Sequence, residues 1–272
     1  MYWNIEMITF VSDLDQTLIY SKRNINVDKE DIQCVEYIDD RSITYMTKVA
    51  YQKFLTLITN SEFMFIPCTL RSFEQTSRIT FIQEYLPHFI ICDNGGRIYI
   101  DGKEDFTYRN QIMNNVDLKK LEEYKPKIEK MIVDGYVKYD NQSFLTCIFK
   151  SKETAEMQMN NILNKLDMTL FSYDLQDRKL YIIPKKLNKA IAMQYLIKTY
   201  ELKNIITSGD GKVDKDFTKL GQKILLPKAA QFHHLGETRM IYDGILGGEE
   251  IIDQLLTLLQ LFHQEKLQNN II

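Results

Sequence analysis

Apolar residues arrive in short runs separated by charged stretches of helical length, the habit of an α/β fold. Residues 7 to 12 read as a central strand, and the polar segment Asp13-Leu14-Asp15-Gln16-Thr17 follows at its carboxyl end, the edge where open α/β sheets gather ligands. Residues 34 to 46 alternate imperfectly around Asp39-Asp40 and suggest a hairpin over that first loop. A helix near 47–59 leads to the strand Phe63-Met64-Phe65-Ile66, which ends before Pro67-Cys68-Thr69-Leu70-Arg71-Ser72. A second helix, over 73–85, leads to Phe89-Ile90-Ile91-Cys92, and Asp93-Asn94-Gly95-Gly96 turns into a strand over 97–100. Three successive strands that each end in a polar loop argue for a parallel sheet.

The rhythm changes after about residue 104. Leu118, Leu121, Tyr124, Ile128, Met131 and Ile132 form a helical stripe, 144–149 a strand, and Ala155, Met159, Ile162, Leu163 and Leu166 a second stripe. Strands over 169–173 and 179–183 flank 174–178 as a hairpin. This αββαββ unit is expected to be inserted in the first domain, giving a core of 1–103 and 185–272 and an insert of 104–184. The core resumes with a helix carrying Ala190, Met193, Leu196, Ile197 and Tyr200, a strand over 204–208, the loop Gly209-Asp210-Gly211-Lys212-Val213-Asp214, and a strand over 223–226. Ile251, Ile252, Leu255, Leu259 and Phe262 mark a closing helix, and the tail Gln268-Asn269-Asn270 is expected to carry little function.

Composition narrows the classes of partner. The 272 residues are 44% hydrophobic with a formal charge of -3, and no basic block is long enough to make a nucleic acid the main partner. The four cysteines are scattered without a metal or disulfide pattern, as in a reduced, cytoplasmic protein. There is neither an apolar run long enough to span a membrane nor a secretory pattern ahead of Met7. His233-His234 lacks zinc spacing, and Cys68 reads as a buried strand-end thiol.

The chemistry sits in the polar loops. A strand that buries Ile8, Phe10 and Leu14 should not end by placing Asp13 and Asp15 together unless something offsets their repulsion, and a divalent cation does so. Asp210 and Asp214 also follow a strand, beside glycines that permit close backbone approach, and with the first pair they supply a hard oxygen site suited to magnesium. Taken singly, Lys189 reads as a solvated lysine, Thr69 as a helix cap and Arg71 as a side chain lying over the surface. Their joint order changes that reading: acidic strand end, hydroxyl strand end, lysine after an insert, acidic strand end. Such a combination can perform phosphoryl transfer.

Asp13-Leu14-Asp15-Gln16-Thr17, Thr69-Leu70-Arg71-Ser72, Lys189 and Gly209-Asp210-Gly211-Lys212-Val213-Asp214 resemble the four motifs of the haloacid dehalogenase-like (HAD) phosphatases. Asp93-Asn94-Gly95-Gly96 looks like the turn common in their Cof-type members, and the insert looks like a type C2B cap. The chain is similar to the sucrose-phosphate and mannosylglycerate-phosphate phosphatase branch. The resemblance implies a Rossmann-like core with an α+β cap, and magnesium-dependent hydrolysis of a small phosphorylated metabolite, a sugar phosphate being the best class. A sugar phosphomutase and a non-catalytic sensor are the alternatives.

On the same resemblance Asp13 is the nucleophile that becomes an aspartyl-phosphate, and Asp15 the general acid and then base. Thr69 and Lys189 bind and offset the phosphate charge, while Asp13, Asp15 through its carbonyl, Asp210 and Asp214 serve the metal. Arg71, Gly211, Lys212, Arg178 and Lys179 are assigned to substrate, the last two in the cap with Asp140, Asn141, Gln142, Asp174 and Gln176 as further loop contacts. Thr17 is expected to fix the first loop. The protein is expected to be a monomer or weak homodimer. The fourth motif departs from the family pattern: Gly211 stands for a serine and Val213 for an asparagine, and Val213 offers no side-chain hydrogen bond. Leu70 likewise stands where a glycine is common.

Overall fold

All five residues of β1 (Ile8–Ser12) are buried, which a strand achieves only in the middle of a sheet covered on both faces. The computed structural model describes residues 7–25, 28–116, 118–240 and 247–269, so the last residues of the tail lie outside the described residues. After β1 come β2 (Tyr20–Ser21), β3 (Ile32–Ile38), β4 (Arg41–Thr47), α1 (Lys48–Ile58), β5 (Phe63–Pro67), α2 (Phe73–Ser77), α3 (Thr80–Glu84), β6 (Phe89–Cys92), β7 (Arg97–Ile100) and β8 (Lys103–Glu104). Next are α4 (Phe106–Met113), α5 (Leu118–Glu129), β9 (Gly135–Asp140), β10 (Phe144–Phe149), α6 (Lys152–Leu163), β11 (Phe171–Gln176) and β12 (Lys179–Pro184). The chain continues through α7 (Lys189–Tyr200), β13 (Ile205–Ser208), α8 (Lys215–Thr218), β14 (Lys223–Leu226), β15 (Thr238–Arg239) and α9 (Gly247–Asn269).

The central sheet has the order β15-β14-β13-β1-β5, and its strands are parallel. Successive side chains of a strand point to opposite faces, so Phe10 joins Phe54, Phe65, Phe81 and Leu255 in one core while Val11 joins Ile66, Met193, Leu196 and Phe217 in the other. Phe54 meets Phe65 and Phe81 edge to face at 5.0 and 5.1 Å, which locks α1 against β5 and α3. The register decides where the loops emerge: Ser12 lies beside Ser208 on one side and Pro67 on the other. Three polar loops therefore leave the sheet at one edge.

The αββαββ pattern expected for the insert is present as α5-β9-β10-α6-β11-β12. Its antiparallel sheet, ordered β11-β12-β10-β9, packs one face on α5 and α6 through Leu145, Cys147, Leu180, Ile182 and Phe171. The alternate residues, among them Thr146, Asp174, Gln176, Lys179 and Tyr181, share the opposite face, since Tyr181 pairs with both Thr146 and Asp174 and Gln176 pairs with Lys179.

Several elements differ from the pattern. The helix expected over 73–85 is two short ones, because Ile79 is extended at the junction and bridges to Glu36 of β3. β6 extends the parallel arrangement through the isolated bridge of Ile91 with Cys68, but its ladder is antiparallel with β7, because Asp93, Asn94 and Gly95 all take positive φ and reverse the chain. Asp174 and Gln176, expected in a loop, lie on β11, and the hairpin turn shrinks to Asp177-Arg178. α4 and β9 carry no clear apolar period; β9 buries Val137 and leaves its neighbours more open.

Gly95 shows how tightly the turn fits. With φ of +86°, it approaches the start of α7 so closely that an added Cβ would lie 2.3 Å from the Asn188 carbonyl oxygen. Gly95→Ala is expected to cost about 2 kcal/mol or more in a denaturant titration. A loss below about 0.5 kcal/mol would show that the turn relaxes freely.

Candidate active site

The first loop is built around Leu14. Its side chain is fully buried in the core, and its carbonyl accepts from the N–H groups of Leu18 and Ile19, both at 2.9 Å. The chain thus turns immediately after β1, and the residues flanking Leu14 are held at the sheet edge. The Asp13 N–H continues the ladder by donating to Ser208 O at 3.0 Å, and Gln16 takes φ of 61° to close the turn.

Lys189 reaches the same edge from the start of α7, where the Asn188 side chain accepts from the Ile191 N–H and caps the helix. Its ammonium is 1% exposed and donates to Asp13 Oδ1 and Asp214 Oδ1, both at 2.6 Å, over the ring of Phe217. Burial opposes its charge, but the two carboxylates outweigh that and raise its pKa. It is an internal counter-ion, not the solvated lysine that its position alone suggested.

The fourth loop folds around Asp214. One carboxylate oxygen takes Lys189, and the other accepts from the N–H groups of Gly211 at 2.8 Å and Asp210 at 3.1 Å. Gly209 is required there, since a Cβ would lie 2.5 Å from that of Asp214. Val213 packs on the apolar core. Side-chain support for Asp210 comes from the first loop, where Thr17 donates its hydroxyl to Asp210 Oδ1 at 3.1 Å.

Among the described residues, Asp13, Asp210 and Asp214 form an acidic set whose ligand oxygens lie within 4.8 Å of one another. Three carboxylates around one ammonium leave an excess of negative charge on hard oxygen donors, which fits magnesium. Asp214 already has both oxygens engaged, so Asp13 and Asp210 are the members with an oxygen to give. The Asp15 carboxylate is not in the set.

Asp15 turns instead to Arg71, which grips it with Nε at 2.6 Å and Nη2 at 2.7 Å. Burial would raise the Asp15 carboxyl, but the charge and hydrogen bonds of Arg71, with help from Lys179, hold it below the usual range. Arg71 therefore does not lie loose over the surface. Its Nη1 donates to Glu36 at 2.8 Å, a buried carboxylate on β3 that sequence reasoning passed over. The signal was an acid beside buried Val35 in a strand otherwise rich in apolar and aromatic residues.

Thr69 is buried at the end of β5, with its Oγ1 accepting from the Arg71 N–H at 3.1 Å and so keeping its own proton to donate. Asn94 binds this strand end to the helix that carries Lys189: its N–H donates to Thr69 O and its Nδ2 to Leu187 O. Cys68 is buried among these groups, and burial pushes its thiol pKa up, which keeps it inert.

The polar face of the insert's sheet overlies this edge. Gln176 Nε2 would lie 3.7 Å from a Cβ at Gly211, Lys212 opposes Asp174 in charge, and Lys179 is near enough to act on Asp15. Tyr181, not foreseen, lies close enough to Asp15 and Arg71 to feel both. Arg178 occupies the exposed turn, where its carbonyl accepts from the Phe149 N–H. Asn141 and Asp140 have other tasks: Asn141 donates to Asp93 at 2.7 Å, tying the insert to the core, and Asp140 takes the Thr146 hydroxyl. His234 meets Thr218 and His233 lies near Glu237, away from any acidic set among the described residues.

The chain is similar to known proteins over most of its length. Residues 6–224 match the family model described as Sucrose-6F-phosphate phosphohydrolase. The structure of sucrose-phosphatase from Synechocystis sp. PCC6803, solved with sucrose and phosphate, aligns with a TM-score of 0.63 at 11% identity over 93% of this chain and 98% of that one. The C-terminal domain of C. albicans trehalose-6-phosphate phosphatase aligns at 0.58 and 12% identity, over 94% and 93%. A haloacid dehalogenase-like hydrolase from Bacillus subtilis aligns at 0.53 and 14%, over 94% of each chain. At such identities these structures establish the fold. No curated protein sequence matches the chain.

The acidic set carries a pH signature. Burial first, and then Asp214, push the Asp210 carboxyl from 3.8 to about 7. The folded state thus holds a proton that the unfolded chain releases, so this group's contribution to stability falls as pH rises from about 4 to about 7. Asp210→Asn is expected to remove that slope and, in chelator at pH 8, to be about 1–2 kcal/mol more stable than wild type. Denaturant titrations from pH 5 to 8 measure it; parallel slopes for the two proteins would contradict the assignment.

Proposed function

The chain belongs to the sucrose-6F-phosphate phosphohydrolase family, a branch of the HAD phosphatases, and on that premise we propose that it hydrolyses a sugar phosphate through an aspartyl-phosphate at Asp13. The observation that carries this reading is the Asp13 carboxylate: one oxygen is fixed by Lys189, and the group shares an acidic set with Asp210 and Asp214 at the edge where the polar loops emerge. We place the core at 1–103 and 185–272 and the cap at 104–184.

In the first half, Asp13 attacks phosphorus, the bond from phosphorus to the sugar oxygen breaks, and Asp15 gives that oxygen its proton. In the second, Asp15 takes a proton from water as the water oxygen bonds to phosphorus, releasing phosphate and restoring Asp13. Arg71 and Lys179 favour the charged form of Asp15, the form that the second half needs. For the first half Asp15 takes up a proton before it meets the leaving oxygen, with Arg71 keeping its carboxyl in place. Thr69 donates its hydroxyl to a phosphate oxygen, and Lys189 keeps its charge and offsets that of the phosphate. Magnesium held by Asp13 and Asp210 would screen the carboxylates from the anionic substrate and orient its phosphate.

The sugar lies beneath the cap face of Asp174, Gln176, Lys179 and Tyr181, a set of donors and acceptors suited to hydroxyl groups. Lys212 faces this region from the core side. Closing this face over the edge excludes water and strengthens every electrostatic contact below it.

Asp13→Asn is expected to cut magnesium-dependent release of phosphate from a sugar phosphate panel by about a thousandfold or more. Wild-type turnover in ¹⁸O-water should place label in the released phosphate, whereas an isomerised sugar phosphate as product would identify a mutase. Binding without turnover across the panel would instead identify a sensor. Lys179→Ala should raise KM for the preferred sugar phosphate by about three- to tenfold while leaving KM for 4-nitrophenyl phosphate within about twofold. Equal effects on both substrates would remove Lys179 from sugar recognition.

A further inference from the structure

Glu36 is 1% exposed, yet it lies on a strand of a small hairpin sheet and not in the parallel core. A carboxylate so deeply covered is costly unless it is paired on every side. Here it is. Oε2 accepts from Arg71 Nη1 at 2.8 Å and from the Thr44 hydroxyl at 3.1 Å, and Oε1 lies 3.2 Å from Arg78 Nη2.

The backbone is bent to make this possible. β3 and β4 pair in one register from Ile32–Thr47 to Cys34–Tyr45, slip so that Glu36 faces Thr44, and then return to the first register at Tyr37–Ser42. Such bulges re-aim side chains beside functional sites. This one lets Val35 and Glu36, neighbours in sequence, both be buried. On the other side, Glu36 bridges to Ile79 at the break between α2 and α3, the same break that presents Arg78. Two irregularities, one in a strand and one in a helix, converge on a single carboxylate.

The consequence passes through Arg71. Its guanidinium is planar, so binding Glu36 at Nη1 fixes the plane in which Nε and Nη2 grip Asp15. We propose that Glu36 is a positioning residue for the reaction: by anchoring Arg71 it sets where the Asp15 carboxyl stands relative to the leaving oxygen and the attacking water. This inference rests on the roles proposed above for Asp13 and Asp15. It extends them to a hairpin that none of the motifs includes.

Glu36→Gln is nearly the same shape but cannot serve two guanidinium groups. With a sugar phosphate, kcat is expected to fall about tenfold or more while KM stays within about threefold, because placement and not binding is lost. With 4-nitrophenyl phosphate, whose leaving group needs no acid, the first turnover should remain fast and the next ones slow, since water activation still needs Asp15. A burst of one equivalent of nitrophenol in rapid mixing reads this out, and the Nε–H resonance of Arg71 should lose its protection from exchange. Thr44→Val, which removes the hydroxyl from Glu36 alone, should give a weaker form of the same pattern and serves if Glu36→Gln does not fold.

Equal losses on both substrates with no burst, or wild-type kinetics from a folded Glu36→Gln protein, would overturn the proposal. An Arg71 signal unchanged in Glu36→Gln would do so as well. If wild type itself shows no magnesium-dependent turnover, the phosphatase reading fails, and the proposal with it.

Discussion

The site depends on one buried ammonium. Lys189 stands between Asp13 and Asp214, each at 2.6 Å, in a place that almost excludes water. Removing one member of such a group leaves the others uncompensated, at a cost of about 3–5 kcal/mol. Much of the surrounding architecture keeps that ammonium in place. Asn188 caps its helix, Gly95 lets the turn after β6 press against that cap, and Asn94 ties the same turn to the Leu187 carbonyl. The turn also holds the strand end that carries Thr69, so the Thr69 hydroxyl and the ammonium share one support.

Opposite that buried charge lies a second one of different character. Arg71 is clamped between Asp15 and Glu36, giving the edge two ion-pair systems separated by Leu14. In the first, three carboxylates share one ammonium, and the imbalance invites a cation. In the second, two carboxylates face two guanidinium groups and the charges cancel. That contrast explains how two aspartates only two positions apart acquire different chemistry. Burial and the neighbouring aspartates raise the Asp13 carboxyl against the pull of Lys189, in a set that a cation would complete, while Arg71 holds the Asp15 carboxyl below the usual range.

The central sheet was legible from sequence because β1 and β5 bury their residues on both faces and each ends in a polar loop. So were the residues in those loops, since Asp13, Thr69 and Asp210 follow their strands by one or two positions and parallel register brings them to the same edge. Lys189 was legible only as part of a set; nothing local distinguishes it from Lys185 or Lys186, and its burial is a product of where α7 begins. Glu36 and the break at Ile79 were not legible, because each depends on the other through space and neither leaves a periodic trace. Asp174 and Gln176 were seen as polar but placed in a loop, since alternation with Tyr173 and Leu175 is too short to separate a strand from its turn.

The unusual fourth loop follows from the same physics. Its sequence lacks a polar side chain at Gly211 and Val213, and the hydrogen bonds that hold it come from Thr17 and Asp214. Thr17 reaches across from the first loop to Asp210, and Asp214 gathers the backbone N–H groups that would otherwise be exposed to the acidic set. Gly211 and Val213 have separate effects. Val213 becomes part of the core beneath the loop, and Gly211 leaves room above it for Gln176 of the cap. A side chain at Gly211 would begin in ordinary contact with Gln176, its Cβ 3.7 Å from Nε2. The two residues thus give the fourth loop a neighbour on each side, the core below through Val213 and the polar face of the insert's sheet above at Gly211.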